Sequence, residues 1–183
     1  RRYKRQLDLL RTLERTGEPH PETSAFTEDY GVEWGSYQVQ ADYAEEPASD
    51  IDVRRLQLDP ADQVLRRKLI KFVEEEPVQI QISVMPLKLV QGTPVADPDR
   101  QPWPGGTIAE LHSIRQHVTR VSEEARARFP TEEERRQLRM EAQGPVMDVV
   151  RVFFAGPERR PVEYSTVIVA ANGLVLEFQT DLD

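Results

Sequence analysis

Three histidines, His20, His112 and His117, and no cysteine are all the sequence offers in soft metal ligands. None of the histidines stands in a His-x-x-His or His-Glu-x-x-His spacing, so a catalytic zinc site is not expected. The lack of thiols excludes disulfides, thiolate clusters and a cysteine nucleophile. No Gly-x-Ser-x-Gly elbow exposes a serine, and no Gly-x-x-x-x-Gly-Lys loop is present to cradle phosphate; Gly105-Gly106 lacks the flanking pattern. The densest carboxylate runs, residues 74–76 and 132–134, fall in a turn and in a first helical turn, where solvation and the helix dipole account for them. One pairing stands apart. Arg151 alternates with Met147, Val149 and Phe153, which puts a cation in an apolar row. A hairpin turning near residues 157–159 brings it opposite or diagonal to Glu163, Tyr164 and Ser165. Such a cation needs a carboxylate, a carbonyl or a bound anion. An internal Arg151–Glu163 pair and a ligand contact are both consistent with the pattern. No catalytic residue and no cofactor is expected.

The elements that must position these groups are read from periodicity. Residues 64–72, an acidic turn at 74–77 and residues 78–85 form a hairpin. Val78, Ile80, Ile82 and Val84 alternate there with Gln79, Gln81, Ser83 and Met85, a period of two. The polar row faces either bulk water or a wet cavity. A short helix follows Ser49 or Asp50, with Ile51, Val53, Leu56 and Leu58 on its apolar side. Residues 86–106 form a Pro/Gly-rich loop in which Trp103, between two prolines, is a packed lid or a surface anchor. Thr107 is placed to cap a helix over residues 108–116, with Glu110 completing a capping box. A strand over 117–129 and a helix opened by Thr131 with Glu134 come next, the helix ending before Gly144-Pro145. Strands over 146–154 and 161–170 follow, then Asn172-Gly173, a strong hairpin signal, and a strand over 174–180. Tight turns between neighbouring strands predict an antiparallel sheet with helices on one side, an α+β design.

Charge divides the chain. The first 15 residues hold six basic and two acidic groups, leaving −12 on the other 168 of a chain whose net charge is −8. A body of that sign does not neutralise phosphates, so this part is not expected to bind nucleic acid by itself. Leu7, Leu9, Leu10 and Leu13 between the basic residues suggest a linker helix, and residues 16–50 read as linker and irregular loops with an edge strand at 36–43. At 183 residues one domain is the default. No apolar run approaches the roughly 20 residues of a membrane span, and a soluble, cytoplasmic protein is expected. The chain begins at Arg1 without methionine, compatible with a fragment whose preceding domain is missing.

The ordered motifs over residues 50–180 resemble the UTRA domain, the effector-sensing half of HutC-type regulators in the GntR superfamily. The matching pieces are Val64-Leu65-Arg66-Arg67, Glu76-Pro77-Val78, Ser83-Val84-Met85-Pro86, Gly106-Thr107-Ile108, Phe129-Pro130-Thr131-Glu132, Gly144-Pro145-Val146-Met147, Val150-Arg151-Val152 and Pro161-Val162-Glu163-Tyr164-Ser165. Pro102-Trp103-Pro104-Gly105-Gly106-Thr107 and the basic start are similar to the actinobacterial branch that includes plasmid-transfer repressors. The resemblance implies a chorismate-lyase-like fold, an antiparallel β-sheet with helices packed on it, and a homodimer. It also implies an absent N-terminal winged helix-turn-helix domain as the only contact with operator DNA. Residues 1–45 would then be linker tail and 46–183 the effector-binding and dimerisation domain. The ligand implied is a small metabolite, often anionic, in a cleft between sheet and helix. The family's helix-opening serine falls on Thr107, its two strand glutamates on Gln81 and Glu163, its last-turn acid on Asn172, and its paired arginines on Leu69 and Lys71. The expected effector-binding set is Thr107, Lys71, Gln81, Ser83, Arg151, Glu163, Ser165 and Asn172. Loss of the arginine fork implies a less charged or more apolar ligand than a sugar phosphate, with Trp103, Phe72 and Met85 as candidate walls. A structural dimerisation module without a ligand, and a chorismate-lyase-type enzyme, are the alternatives.

Overall fold

A computed structural model describes residues 2–3, 24–140, 144–172 and 175–176. Its frame is a six-stranded sheet ordered β2-β3-β4-β7-β6-β5, antiparallel at every pairing. The strands are β2 (Tyr37–Pro47), β3 (Gln63–Val73), β4 (Glu76–Pro86), β5 (Val118–Arg128), β6 (Val146–Ala155) and β7 (Arg160–Ala170). Two-residue strands β1 (Arg2–Tyr3) and β8 (Val175–Leu176) pair in parallel apart from it. The helices are α1 (Ala25–Tyr30), α2 (Asp50–Leu56), α3 (Leu87–Val90), α4 (Gly106–Ser113) and α5 (Glu132–Gln137). No described helix is long and apolar enough to cross a membrane.

The β3–β4 hairpin turns on Glu74 and Glu75, both at positive φ. A two-residue turn of that hand matches the right-handed twist of its strands. Ser49 caps α2 and Thr131 caps α5, each through a reciprocal capping box.

Helices cover both faces of the sheet, not the single face expected. Ile108 and Leu111 of α4 pack with Leu65, Met85 and Phe153 on one side. Leu56 of α2 packs with Val64, Val84 and Tyr164 on the other, and Leu138, just past α5, with Ile80, Val146 and Ile168. The reason is visible in β4, β6 and β7, whose apolar residues are buried on both parities. Two more differences matter. The stretch taken as linker and loop contains α1 and an edge strand that runs four residues past the end expected, and α1 packs Phe26 against Tyr37 and Val78. The proposed leucine helix of residues 7–13 and most of the last hairpin, Gly173 included, lie outside the described residues; the part described, β8, pairs with β1.

Candidate functional site

Strand register aligns one residue from each strand into a polar belt across the sheet. Tyr43 stands opposite Arg67, Arg67 opposite Ser83, Ser83 opposite Ser165, Ser165 opposite Arg151, and Arg151 opposite Glu123. The belt faces α4, and most of it is buried: Arg67 is 1% exposed, Ser83 0%, Ser165 1% and Arg151 8%. Burying charge there requires partners. Arg67 donates from Nη1 to Glu110 Oε1 of α4 at 2.6 Å and from Nε and Nη2 to Ser83 Oγ at 3.2 and 2.9 Å. Ser83 in turn donates to Glu163 Oε1 at 2.7 Å, which also lies 3.7 Å from Arg67 Nη2. Arg151 donates from Nε to Glu123 Oε1 at 2.6 Å.

Arg151 lies opposite Ser165 and diagonal to Glu163, as expected; its short ion pair is with Glu123, which stands opposite it on β5, and Glu163 acts on it at longer range. One expectation is corrected. Glu110 does not close a capping box with Thr107. Gly105 is the N-cap, in the left-handed conformation and without a side-chain cap, which moves Thr107 into the first turn and frees Glu110 for Arg67.

Above the belt lies a cavity of about 60 Å³. Its floor is Arg67, Leu69, Lys71, Gln79, Gln81, Arg151 and Ser165; its roof is Gln101, Trp103, Thr107 and Glu110. One end is closed by Ser24, Phe26 and Asp29 from α1 and its cap. Gln79 and Gln81 are 6% and 7% exposed, so the polar row of β4 faces an enclosed space and not bulk water. Trp103 is a packed wall, against the same apolar cluster as Met85.

Of the sequence-predicted set, Thr107, Lys71, Gln81, Arg151 and Ser165 line this one cavity. Ser83 and Glu163 sit beneath it, hydrogen-bonded to each other and joined to the lining through Arg67. Asn172 is exposed past the end of β7 and lines no part of it, because β7 ends two residues earlier. Met85 is core and Phe72 borders a separate shallow groove on the sheet edge. Sequence reasoning missed Arg67 and Glu110 as the central pair, Gln101, whose Nε2 donates to Glu110 at 3.0 Å, and the α1 residues. The signal for Arg67 was present: it shares parity with Leu65 and Leu69, both buried, whereas Arg66 does not.

The electrostatics follow from burial. Desolvation raises Glu163 to about 7, against the pull of Arg67, with Glu110 adding to the rise and Ser83 and Arg151 opposing it. Its Oε2 has no hydrogen-bond partner among the described residues. Burial pushes the Lys71 ammonium down to about 8, and the nearby carboxylates, Asp29 first, oppose that. Among the described residues no three His, Asp or Glu converge as a metal site. The cavity offers one half-buried ammonium, two guanidinium groups, two carboxylates, three amides, hydroxyls and aromatic walls.

The UTRA domain family model matches residues 40–172. The chain belongs to the UTRA domain family. Solved structures of GntR-family regulators share the fold of this UTRA domain. One, described as a GntR-family transcriptional regulator, aligns with TM-score 0.75 and 25% identity over 91% of this chain and 67% of its own. The effector domain of PhnF from Mycobacterium smegmatis aligns at 0.69 and 14% identity, over 90% of this chain and 99% of its own. The C-terminal domain of the histidine utilization repressor from Pseudomonas syringae pv. tomato aligns at 0.63 and 17%, over 80% and 99%. Comparison with curated protein sequences gave no match. The expected antiparallel, chorismate-lyase-like α+β fold is therefore the observed one.

Proposed function

We propose that this UTRA domain is the sensing and dimerisation half of a GntR-type transcriptional repressor. A small effector occupies the cavity above the polar belt. Operator DNA is bound by a winged helix-turn-helix domain that precedes the linker tail of residues 1–45. The single observation carrying this reading is the cavity, with a polar floor on the sheet and walls from α4, its preceding loop and α1. A ligand there works through its unequal affinity for two arrangements of the dimer. The acidic net charge of the body fits this division of labour, since phosphate neutralisation calls for the opposite sign.

A thermal-shift screen of small metabolites against the 183-residue chain tests the reading. A true effector at about 100 times its Kd stabilises by about 2.7 kcal/mol, which is roughly 5–10 °C for a chain of this size. Lys71→Ala and Gln81→Ala should abolish that shift. If no compound stabilises the domain and the complete regulator carrying these variants stays inducible, the sensing role is wrong. A dimerisation module without a ligand is the remaining reading, favoured by the smallness of the closed cavity.

A further inference from the structure

We propose that Lys71 is a covalent capture site: its amine condenses with the carbonyl of a small aldehyde that enters the cavity, forming an imine. This rests on the sensing role proposed above and adds to it a ligand class and a mode of binding, a reversible carbon–nitrogen bond.

The lysines of the chain are held differently. Of the four, Lys4 lies outside the described residues. Lys68 Nζ is paired with Glu133 Oε1 at 2.7 Å, and Lys88 Nζ with Asp62 Oδ2 at 3.0 Å. Lys71 lines the cavity, and among the described residues no carboxylate comes within 4.0 Å of its Nζ. What approaches it is the Phe26 ring, 4.7 Å from Nζ, which attracts an ammonium weakly and accepts no strong hydrogen bond from it.

An ammonium taken from water without a carboxylate in contact loses ground to the free amine, and more so beside another cation. Arg67 stands two positions earlier on β3 and lines the same floor, as does Arg151, which Glu123 holds. Asp29 of α1, Glu110 of α4 and Glu163 of β7 favour the ammonium from beyond contact distance. Burial outweighs them and holds the amine near 8, against 10.5 for an ordinary lysine. At pH 7.5 roughly a quarter of such an amine is free base, against about 0.1% of an ordinary one. Buried lysines of this kind are the ones that form Schiff bases.

The condensation balances without an oxidant or reductant. The Nζ lone pair adds to the carbonyl carbon, the π pair of the C=O bond moves to oxygen, and a proton passes from nitrogen to that oxygen to give a carbinolamine. Its hydroxyl takes up a proton from solvent and leaves as water while the nitrogen lone pair closes the C=N bond. One amine, one aldehyde and one proton give one protonated imine and one water. Gln79, opposite Lys71 on the ladder, and Gln81 carry amides able to hold the oxygen through these steps. The product is a cation again, and the three carboxylates favour it. A volume of about 60 Å³ takes roughly four or five waters, which suits a short aldehyde with its apolar end toward Phe26 and Trp103.

Reductive trapping on the whole chain tests this. Propionaldehyde with sodium cyanoborohydride at pH 7.5 turns each imine into a propylamine as it forms, and peptide mapping by mass spectrometry after cleavage at glutamate reads the rate at every lysine. Lys71 should be labelled at least about tenfold faster than Lys68 or Lys88, lower basicity and partial burial offsetting the rest of its advantage in free base. The advantage should shrink as pH rises to about 9.5, where Lys71 is already free base and gains nothing more. Without reductant, propionaldehyde should raise the melting temperature of the unaltered chain and not of Lys71→Arg. Propan-1-ol, of the same size but without an electrophilic carbon, should move neither. Lys71 labelled no faster than Lys68 and Lys88 overturns the proposal, and that comparison needs no variant. A ratio that stays constant with pH overturns it too, since exposure and not the state of the amine would then set the rate. Propan-1-ol stabilising as well as the aldehyde overturns the covalent mode while leaving the sensing role intact. That role fails only if the thermal-shift screen finds no ligand of any class, an outcome the labelling does not depend on.

Discussion

Glu110→Ala isolates the worth of the buried network. Arg67 and Glu110 are 1% and 2% exposed, and Glu110 Oε1 accepts from Arg67 Nη1 at 2.6 Å and from Gln101 Nε2 at 3.0 Å. Truncation leaves the guanidinium with the Ser83 hydroxyl and with Glu163 at 3.7 Å, too far for a direct hydrogen bond. Stranding one partner of a buried pair costs about 3–5 kcal/mol, whereas breaking an exposed pair costs about 0.2–1 kcal/mol. At roughly 2–4 °C per kcal/mol for a domain of this size, the melting temperature should fall by about 6–20 °C. Arg67→Met combined with Glu110→Leu should lose much less than Glu110→Ala alone, because apolar side chains of similar volume replace a desolvated pair at little net cost. Urea denaturation and calorimetry at pH 7 measure both variants. A fall below about 3 °C for Glu110→Ala would refute the reasoning. So would a double variant whose loss equals the sum of its parts.

Two further perturbations probe the floor and the contact between α1 and α4. Glu163 titrates near 4.5 when unfolded and about 7 when buried, so the native state binds its proton more tightly and its contribution to stability declines as pH rises from about 4.5 to about 7. Glu163→Gln should flatten that limb of the stability profile, measured by denaturation at pH 5 and 7.5; identical slopes would show that burial does not perturb the group. Gly106→Ala places a β-carbon at φ +68° and 3.1 Å from Ser24 Cβ, which should cost about 1–2 kcal/mol in urea and speed hydrogen exchange in α1. Unchanged stability with α1 still protected would mean the contact is not tight.

What could be read in the sequence, and what could not, divides by the range of the interaction. The start signal at Ser49 or Asp50, the capping box at Thr131 and the alternation of Val78 to Met85 are local, and they reappear as α2, α5 and β4. Gln81 and Arg151 share a cavity because each sits on a strand whose alternation was legible, and Lys71, named from the family pattern, lines it too. Arg151's short partner Glu123 was not legible, since nothing in residue type marks which β5 residue the register sets opposite it. Glu110 looked like a cap because its spacing from Thr107 fitted one; Gly105 in the left-handed conformation supplied the helix start instead and released the carboxylate. The cavity role of α1 was hidden in a Pro/Glu/Ser/Thr-rich stretch, where a six-residue helix is too short for periodicity to declare itself.

The placement of the belt argues about purpose. Arg67, Glu163 and Arg151 lie in the middle of a sheet whose surroundings are valine, isoleucine and phenylalanine. Apolar residues of the same volume would be neutral or more stabilising there by about 1–4 kcal/mol. A module whose task is only to hold subunits together has no use for such a row. A receptor has, because a floor of fixed dipoles and charges is already organised when a polar ligand arrives and spares it the cost of orienting them.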